Sequence, residues 1–502
     1  MRTRPLFWVL AVFSIAAAAI QNPVLPGDHP DPSVIRFGGE YWAVNTSSDW
    51  GPIFSLSSSK DLAHWTLRTH VFADLPAWAD NWFWAPELYT EKNRVRLYYT
   101  AQMRGGPLCV AVATAGKPAG PWTDGGPLVC QADGAIDPFF TRDDKGKGFL
   151  LWKKNGNGAS PASIIYLQPT TDDGLHMTGS PRELIRSDVP WEVRDVEAPD
   201  IVRHGGYFYM LYAGGFCCGV NCNYGVGVAR AKDLQGAPWE KNPANPIVTS
   251  GPSWRCPGHG TAVNGPDGQE YFLYHAYSKR GFIATGREAV LDKITWKDGW
   301  PVIGEGRTPA PETAAEPAAV HDDFRAAALQ PFWEWPVQEK PQARVGGGTL
   351  TLSSGTAGFL GAILAEPLDA LNYSVETDVV ASSVAPGAAA GLAIIGDRQT
   401  AAGVALQGGR IVQWRIDGGK WTKLADDPAP VGDKVRLRIE GRNANRFQML
   451  YSKPGGAMAA SGKPVDVGSL APWSRDLRVA LFAGGAKGGQ FTSFDLRYGA
   501  GK

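Results

Sequence analysis

The chain has 502 residues, enough for roughly two to four domains with apolar cores of their own. Its 49 basic and 49 acidic residues cancel, and neither sign forms a long run, which argues against a polyanionic partner such as nucleic acid. Aromatic residues make up 11% of the chain and include 19 tryptophans, which suit packing between strands or contact with the flat apolar faces of small neutral ligands.

The first 20 residues have the pattern of a secretory signal peptide. Arg2 and Arg4 precede an apolar stretch from Leu6 to Ile20, and Ala16 to Ala19 supply small residues for cleavage. This stretch is too short for a membrane span, and no other segment reaches the roughly 18 apolar residues that a span needs. We therefore expect a secreted or periplasmic protein without a membrane span.

Residues 21–303 repeat one motif about every 50 to 60 residues. Each copy has a polar residue beside a proline or glycine, an apolar run, a glycine-marked turn and an aromatic-rich strand. The five copies begin at Asp31-Pro32-Ser33, Ala85-Pro86-Glu87, Asp137-Pro138-Phe139, Glu197-Ala198-Pro199-Asp200 and Gly258-His259-Gly260. A period of this length with several short strands per unit predicts an all-β propeller of five blades, whose innermost strands line a shared central channel.

Six cysteines lie within the repeat region: Cys109, Cys130, Cys217, Cys218, Cys222 and Cys256. An exported protein favours disulfides, although the sequence leaves their pairing open. Cys217, Cys218 and Cys222 sit in a glycine-rich loop and could instead bind zinc together with Cys256. Their tight spacing favours a loop held by disulfides over a zinc site.

A second domain is predicted after the repeats. Residues 304–320 are rich in Pro, Ala and Glu and read as a semi-rigid linker. Residues 321–502 contain many short alternating segments with glycine-rich turns, including the hairpin signal Asp417-Gly418-Gly419. This pattern predicts an antiparallel β-sandwich.

Three acidic residues open equivalent units of the repeat: Asp31, Asp137 and Glu197. We expect them to converge at one end of the channel. Splitting a glycosidic bond without a metal requires one group that protonates the departing oxygen and another that activates water or attacks the sugar, and paired carboxyls meet that need. A single acidic residue beside a proline is also a common turn former, but three at equivalent positions favour a shared site.

Four segments of the chain resemble ordered motifs of glycoside hydrolase family 43: Asn22 to Ser33, Phe83 to Glu87, Ile136 to Pro138 and Val196 to Pro199. The resemblance covers residues 22 to about 303. It implies a five-bladed β-propeller that hydrolyses xylosidic or arabinofuranosidic bonds with inversion.

The resemblance also implies a role for each of the three carboxylates. Asp31 matches the general base, Glu197 the general acid, and Asp137 the third carboxylate that orients the acid. In an inverting enzyme the two working carboxyls should lie roughly 6.5 to 9.5 Å apart. A negative charge on Asp137 should raise the pKa of Glu197.

Further site residues follow from the same resemblance. Trp84 and Phe139 match aromatic positions that line the sugar pocket, and Trp50 is an additional candidate. Arg287 resembles an arginine that reaches the sugar hydroxyls and a carboxylate, with a surface ion pair as the alternative. His259 resembles a histidine near the channel centre, where some relatives hold a calcium ion or ordered water. No cofactor is required for catalysis, and a structural Ca²⁺ at His259 stays an open alternative.

The second domain resembles the jelly-roll, concanavalin-like β-sandwich of family 43 β-xylosidases, through residues 321–324 and 332–335. In those relatives a sandwich loop helps to close the pocket, which favours an exo-acting β-xylosidase or α-L-arabinofuranosidase on hemicellulose (xylan or arabinan) oligosaccharides. The cysteine-rich loop from Gly214 to Tyr224 departs from the pattern and leaves an endo-1,5-α-L-arabinanase open. A non-catalytic carbohydrate-binding propeller is the alternative of another class, and the presence of all three carboxylates favours an enzyme. The sequence does not fix the oligomeric state.

Overall fold

The computed structural model describes residues 20–155, 162–236, 238–313, 317–353, 355, 358–443, 445–466, 476–485 and 487–499. The predicted signal peptide lies outside these residues, apart from Ile20. The described residues form β-strands and three short 3₁₀-helices (Pro190–Glu192, Phe282–Thr285 and Ala381–Ser383), with no α-helix among them. No helix in these ranges is long and apolar enough to cross a membrane. The prediction of an all-β chain is confirmed.

The first half of the chain forms five consecutive four-stranded antiparallel sheets. In chain order they are β1 (Ser33–Phe37), β2 (Glu40–Val44), β4 (Ile53–Ser59) and β5 (Trp65–Phe72); β6 (Ala79–Glu91), β7 (Arg94–Met103), β8 (Leu108–Ala115) and β9 (Trp122–Cys130); β10 (Ala135–Arg142), β11 (Gly148–Lys154), β12 (Ile164–Pro169) and β13 (Arg182–Arg186); β14 (Val196–His204), β15 (Tyr207–Gly214), β16 (Gly225–Ala231) and β17 (Glu240–Lys241); β18 (Trp254–Asn264), β19 (Glu270–Ser278), β20 (Glu288–Lys297) and β21 (Trp300–Ile303). The two-residue strand β3 (Trp50–Gly51) pairs outside these sheets.

The first strands of the five sheets contact one another in a closed cycle. β1 contacts β6, each first strand contacts the next, and β18 contacts β1 again. Apolar side chains fill the junction between each sheet and its neighbour; at the last junction Tyr271 and Leu273 of the fifth sheet pack with Val34 and Tyr41 of the first. Burying these faces removes apolar surface from water and stabilises the order of the sheets.

The repeated motif has a common backbone feature. One residue in each copy has a positive φ: Asp31 (53°), Ala85 (45°), Asp137 (55°), Ala198 (54°) and His259 (47°). In the second to fifth sheets these residues fall where the pairing of the first two strands shifts register. Residues other than glycine rarely adopt this conformation, and bulges re-aim side chains. One small enclosed cavity is lined by residues from all five motifs.

The second half of the chain forms two larger antiparallel sheets. The nine-stranded sheet contains β22 (Val320–Asp322), β24 (Gln342–Gly346), β25 (Thr349–Ser353), β27 (Tyr373–Val380), β32 (Lys434–Arg442), β33 (Arg446–Ser452), β34 (Ala459–Ala460), β35 (Val465–Asp466) and β37 (Gly489–Tyr498). The six-stranded sheet contains β26 (Ala362–Pro367), β28 (Ala389–Asp397), β29 (Thr400–Gln407), β30 (Arg410–Asp417), β31 (Lys420–Pro428) and β36 (Arg478–Ala483).

These two sheets pack face to face on a shared apolar core. Leu350, Val375 and Leu437 of the larger sheet meet Leu392 and Leu481 of the smaller one. The hairpin predicted at Asp417 is confirmed, because Asp417 pairs with the residue three positions on and both intervening glycines have positive φ. That conformation is the one a two-residue hairpin turn requires.

The two halves are joined through a short two-stranded pairing. β3 pairs with β23 (Trp335–Pro336), which follows β22 in the chain and lies outside the two larger sheets. Trp50 of β3 is only 3% exposed and packs with apolar residues of the second domain, while the Arg478 guanidinium lies 4.3 Å from its ring centre. The prediction that Trp50 contacts the substrate is therefore wrong, because its side chain is used to join the two domains.

Candidate active site

A cavity of about 880 Å³ opens at one end of the five sheets. Its described lining residues are Asp31, Ser48, Trp82, Trp84, Gln102, Gly106, Pro107, Leu108, Ala132, Asp133, Gly134, Ile136, Asp137, Lys153, Asn155, Asp195, Glu197, Phe216, Cys217, Cys218, Asn221, His259 and Arg287. The cavity thus brings the three candidate carboxylates together with Trp84, Arg287 and His259. None of the lining residues in the described ranges belongs to the second domain, so the sandwich loop implied by the resemblance is not found there.

Asp31 is buried, and two side chains donate hydrogen bonds to its carboxylate. Thr46 Oγ1 donates a hydrogen bond of 2.7 Å to its Oδ2, and Arg287 Nη1 donates one of 3.0 Å to its Oδ1. Burial alone would raise the pKa of Asp31, but the positive charge of Arg287, with His259 nearby, holds it well below the ordinary value. Asp31 is therefore a carboxylate at neutral pH, ready to accept a proton.

The buried side chain of His275 contacts the backbone of Asp31. The backbone N–H of Asp31 donates to His275 Nδ1 at 3.1 Å, so this nitrogen acts as an acceptor. Burial lowers the pKa of His275 to about 4, which keeps the ring neutral at neutral pH. The histidine thus fixes the backbone of Asp31 without adding a second charge.

The side chain of Asp137 contacts the backbone next to Glu197. The N–H of Ala198, directly after Glu197, donates to Asp137 Oδ2 at 3.1 Å. Burial, with the charge of Glu197 as a further contribution, raises the pKa of Asp137 to about 7. A proton is therefore held at Asp137 up to near-neutral pH.

Glu197 is anchored by Lys153 and Tyr224. Lys153 Nζ lies 2.5 Å from Glu197 Oε2, and the Tyr224 hydroxyl donates to Oε1 at 2.6 Å. Burial would raise the pKa of Glu197, but Lys153 and these hydrogen bonds outweigh it, so that the pKa is lowered. The expected rise in the pKa of Glu197 is therefore wrong, because the ammonium of Lys153 is its counter-ion and favours the charged form.

Lys153 of β11 forms ion pairs with two acidic residues, Glu197 of β14 and Asp195 just before that strand. Its Nζ also lies 2.7 Å from Asp195 Oδ1, and its side chain is buried. Although burial would lower the pKa of Lys153, the charges of Glu197 and Asp195 raise it, so the ammonium is retained. Lys153 was not predicted from the sequence, where its only signal is a lysine directly after the apolar run of β11.

Arg287 is 7% exposed and faces Asp31 rather than solvent, so the alternative of a surface ion pair is wrong.

His259 also lines the cavity, with Nδ1 3.4 Å from Asp31 Oδ1. Within the described ranges, no three His, Cys, Asp or Glu side chains are grouped to hold a metal ion. The calcium alternative at His259 stays a prediction.

Two tryptophans form an aromatic wall of the cavity. Trp84 donates through Nε1 to Ser48 Oγ at 3.1 Å and stacks on Trp82, with ring centres 5.5 Å apart and planes inclined by 15°. Trp82 is 42% exposed and was not predicted from the sequence, although its place two residues before Trp84 puts both rings on one face of the strand. The prediction that Phe139 lines the pocket is wrong, because Phe139 is not among the residues that line this cavity and its partly buried side chain packs against the apolar core between the third and fourth sheets.

All six cysteines form disulfides: Cys109–Cys130, Cys217–Cys218 and Cys222–Cys256. The zinc alternative is therefore wrong, and the prediction of a loop held by disulfides is confirmed. One of these bonds joins two adjacent residues that both line the cavity.

Comparisons with known proteins place this geometry in a family. Residues 20–301 match the model described as glycosyl hydrolases family 43, and residues 321–484 match that of the beta xylosidase C-terminal concanavalin A-like domain. A xylan 1,3-beta-xylosidase from Vibrio sp is 29% identical over 345 residues, 60% of this chain and 60% of that protein. An extracellular exo-alpha-(1->5)-L-arabinofuranosidase from Cellvibrio japonicus is 26% identical over 329 residues, 59% of this chain and 92% of that protein.

The likeness also holds in three dimensions. The crystal structure of xylan beta-1,4-xylosidase from Bacillus halodurans C-125 superposes with a TM-score of 0.80 at 23% identity, covering 95% of this chain and 100% of that one. At this identity the superposition concerns the fold. The chain spans about three fifths of the length of the Vibrio enzyme, 60%. The family model matches residues 20–301, which is more than half of the present chain. The chain therefore belongs to glycosyl hydrolases family 43.

Proposed function

We propose that this protein is an exo-acting glycosidase that hydrolyses xylosidic or arabinofuranosidic bonds of hemicellulose-derived oligosaccharides with inversion. The observation that carries the proposal is the convergence of Asp31, Asp137 and Glu197 in one cavity. Relatives named beta-xylosidase and exo-arabinofuranosidase support this substrate class. Export of the protein, as the N-terminal pattern suggests, would bring it to such substrates.

The proposal includes a five-bladed β-propeller as the scaffold. Five four-stranded sheets in succession, a closed cycle of contacts between their first strands, and one cavity lined by all five motifs support it. In such a scaffold, residues far apart in sequence meet because each occupies the same place in its blade.

Asp31 acts as the general base. It accepts a proton from a water molecule, whose oxygen attacks the anomeric carbon as the glycosidic C–O bond breaks. The charge of Arg287 keeps Asp31 ionised, and Thr46 fixes the direction of its carboxylate. The low pKa of Asp31 thus keeps the base available across the neutral and mildly acidic range.

Glu197 acts as the general acid and donates its proton to the departing oxygen. Before substrate binds, the proton of the Asp137–Glu197 pair lies on Asp137, since Lys153 favours the charged form of Glu197. The pair passes this proton to Glu197 as the leaving oxygen approaches. Solvent then restores the proton to the pair and removes the one gained by Asp31.

A matched set of substrates and one variant tests the proposal. We expect hydrolysis of nitrophenyl β-xyloside or nitrophenyl α-L-arabinofuranoside, with monosaccharide released from xylo- or arabino-oligosaccharides. Glu197→Gln should reduce kcat on unactivated oligosaccharides by at least about 100-fold, because general acid catalysis contributes roughly 10²–10⁴. The variant should still fold, as judged by circular dichroism, although its melting temperature should fall because Lys153 loses one of its two counter-ions.

Two alternatives give different results in the same assay. Release of oligosaccharides of mixed length from linear arabinan would identify an endo-1,5-α-L-arabinanase. Binding of oligosaccharides without turnover on any substrate would favour a non-catalytic carbohydrate-binding protein. Near-normal rates for Glu197→Gln on an unactivated oligosaccharide would contradict the assignment of the acid.

A further inference from the structure

We propose that the loop between β15 and β16 binds the sugar that leaves in the reaction, with Phe216 and the Cys217–Cys218 disulfide as its contact surface. The loop comprises residues 215–224. The inference rests on the proposed function, because it assigns one part of the cavity to one part of the substrate.

Both ends of the loop lie beside Glu197, the proposed general acid. The loop begins after Ala213 and Gly214 of β15, and Ala213 pairs with Glu197. It ends at Tyr224, whose hydroxyl donates to Glu197 Oε1 at 2.6 Å. The general acid protonates the oxygen of the leaving group, so a wall attached to the acid on both sides lies beside the leaving-group sugar.

The loop is held in place by several contacts. The Cys222–Cys256 disulfide ties it to β18 of the next sheet. Phe216 N–H donates to Asn223 Oδ1 at 2.7 Å, and Asn223 N–H donates back to the Phe216 carbonyl at 3.0 Å. A surface that is already ordered loses little conformational entropy when a ligand binds.

Three of the four cavity-lining residues of this loop, Phe216, Cys217 and Cys218, are apolar, and the fourth is Asn221. Phe216 is 56% exposed, and it lines a cavity that also contains charged side chains such as Lys153 and Asp195. A disulfide between Cys217 and Cys218 closes a small ring with the peptide bond, which fixes both side chains and presents polarisable sulfur. An aromatic ring beside sulfur suits the apolar face of a sugar ring better than it suits water.

The cavity has space for this second sugar. Its volume of about 880 Å³ lies at the upper end of the range that holds drug-sized ligands, which are larger than one pentose. The stacked Trp82 and Trp84 come from the second sheet, whereas the loop comes from the fourth, so the two apolar surfaces belong to separate parts of the wall.

Paired substrates isolate the contribution of the loop. Xylobiose and β-D-xylopyranosyl fluoride share the reacting sugar, but only xylobiose has a leaving-group sugar; α-1,5-L-arabinobiose and α-L-arabinofuranosyl fluoride form the equivalent pair. The variants are Phe216→Ala and the double variant Cys217→Ser with Cys218→Ser. Val220→Ala is the matched control, because Val220 lies in the same loop, is 61% exposed and does not line the cavity.

For the pair that the unmodified enzyme cleaves, we expect kcat/KM on the disaccharide to fall about 10-fold, which is typical of losing one apolar contact in a pocket. The fall on the fluoride should be at least five times smaller (about 2-fold or less), and Val220→Ala should leave the ratio of the two rates unchanged. Equal losses on both substrates, or no loss on either, would overturn the inference. Failure of the unmodified enzyme on both pairs would instead contradict the proposed function.

Discussion

Replacing Asp137 by asparagine should stabilise the protein, and more so at higher pH. The carboxyl is buried and its pKa is raised to about 7, whereas an unfolded aspartate titrates near 3.9. Between these values the folded state binds more protons than the unfolded state, so stability is lost as pH rises. Asparagine keeps an oxygen for the Ala198 N–H and carries no charge at any pH.

The size of the effect follows from the two pKa values. One pKa unit corresponds to about 1.4 kcal/mol, and integration between pH 5 and pH 8 gives a cost to the unmodified protein of about 2 to 3 kcal/mol. The free energy of unfolding of Asp137→Asn, relative to the unmodified protein, should therefore rise by this amount between the two pH values.

Urea unfolding followed by tryptophan fluorescence at pH 5 and pH 8 measures this difference. Asp172→Asn is a suitable control, because Asp172 is exposed, and its difference from the unmodified protein should stay within about 0.5 kcal/mol at both pH values. The reasoning would be refuted if Asp137→Asn gained nothing between pH 5 and pH 8, or lost stability. The variant should still hydrolyse oligosaccharides slowly, since the proton reserve beside Glu197 is removed.

Lys153→Met removes the ammonium that lowers the pKa of Glu197, so the alkaline limb of kcat/KM against pH should move to higher pH. It should also lower the melting temperature, because Asp195 and Glu197 lose their counter-ion; an unmoved alkaline limb would contradict the role of Lys153. Trp84→Ala should raise KM about 10-fold by removing one wall of the cavity, whereas Trp50→Ala should lower the melting temperature and change KM less than about 2-fold. The opposite pattern in this pair would contradict the placement of the two tryptophans.

The repeat made much of the fold and the main site predictable. Asp31, Asp137 and Glu197 each open one copy of a motif, and the successive copies place these opening residues around one cavity. The repeat alone was therefore enough to predict that these three residues converge, without information on long-range contacts. The hairpin after Asp417 was predictable for a related reason, since two glycines fix that turn locally.

Other features depend on contacts that the local sequence does not report. Trp50 looks like a site residue by its place near a motif, but it pairs with Pro336 of the second domain. Phe139 follows Asp137 closely, yet a register shift lies between Ile136 and Phe139, and the Phe139 side chain packs against an apolar core. The lowered pKa of Glu197 depends on Lys153 of a neighbouring sheet, and six cysteines alone do not reveal their pairing.

The configuration of the first product tests the central claim most directly. Proton NMR spectra taken in the first minutes of hydrolysis distinguish the anomers of the released pentose before they interconvert. If Asp31 activates water while Glu197 protonates the leaving oxygen, a β-xyloside should give α-xylose first, or an α-arabinofuranoside β-arabinose. Release of the anomer with the configuration of the substrate would require a covalent intermediate and would contradict the assignment of Asp31 as a base.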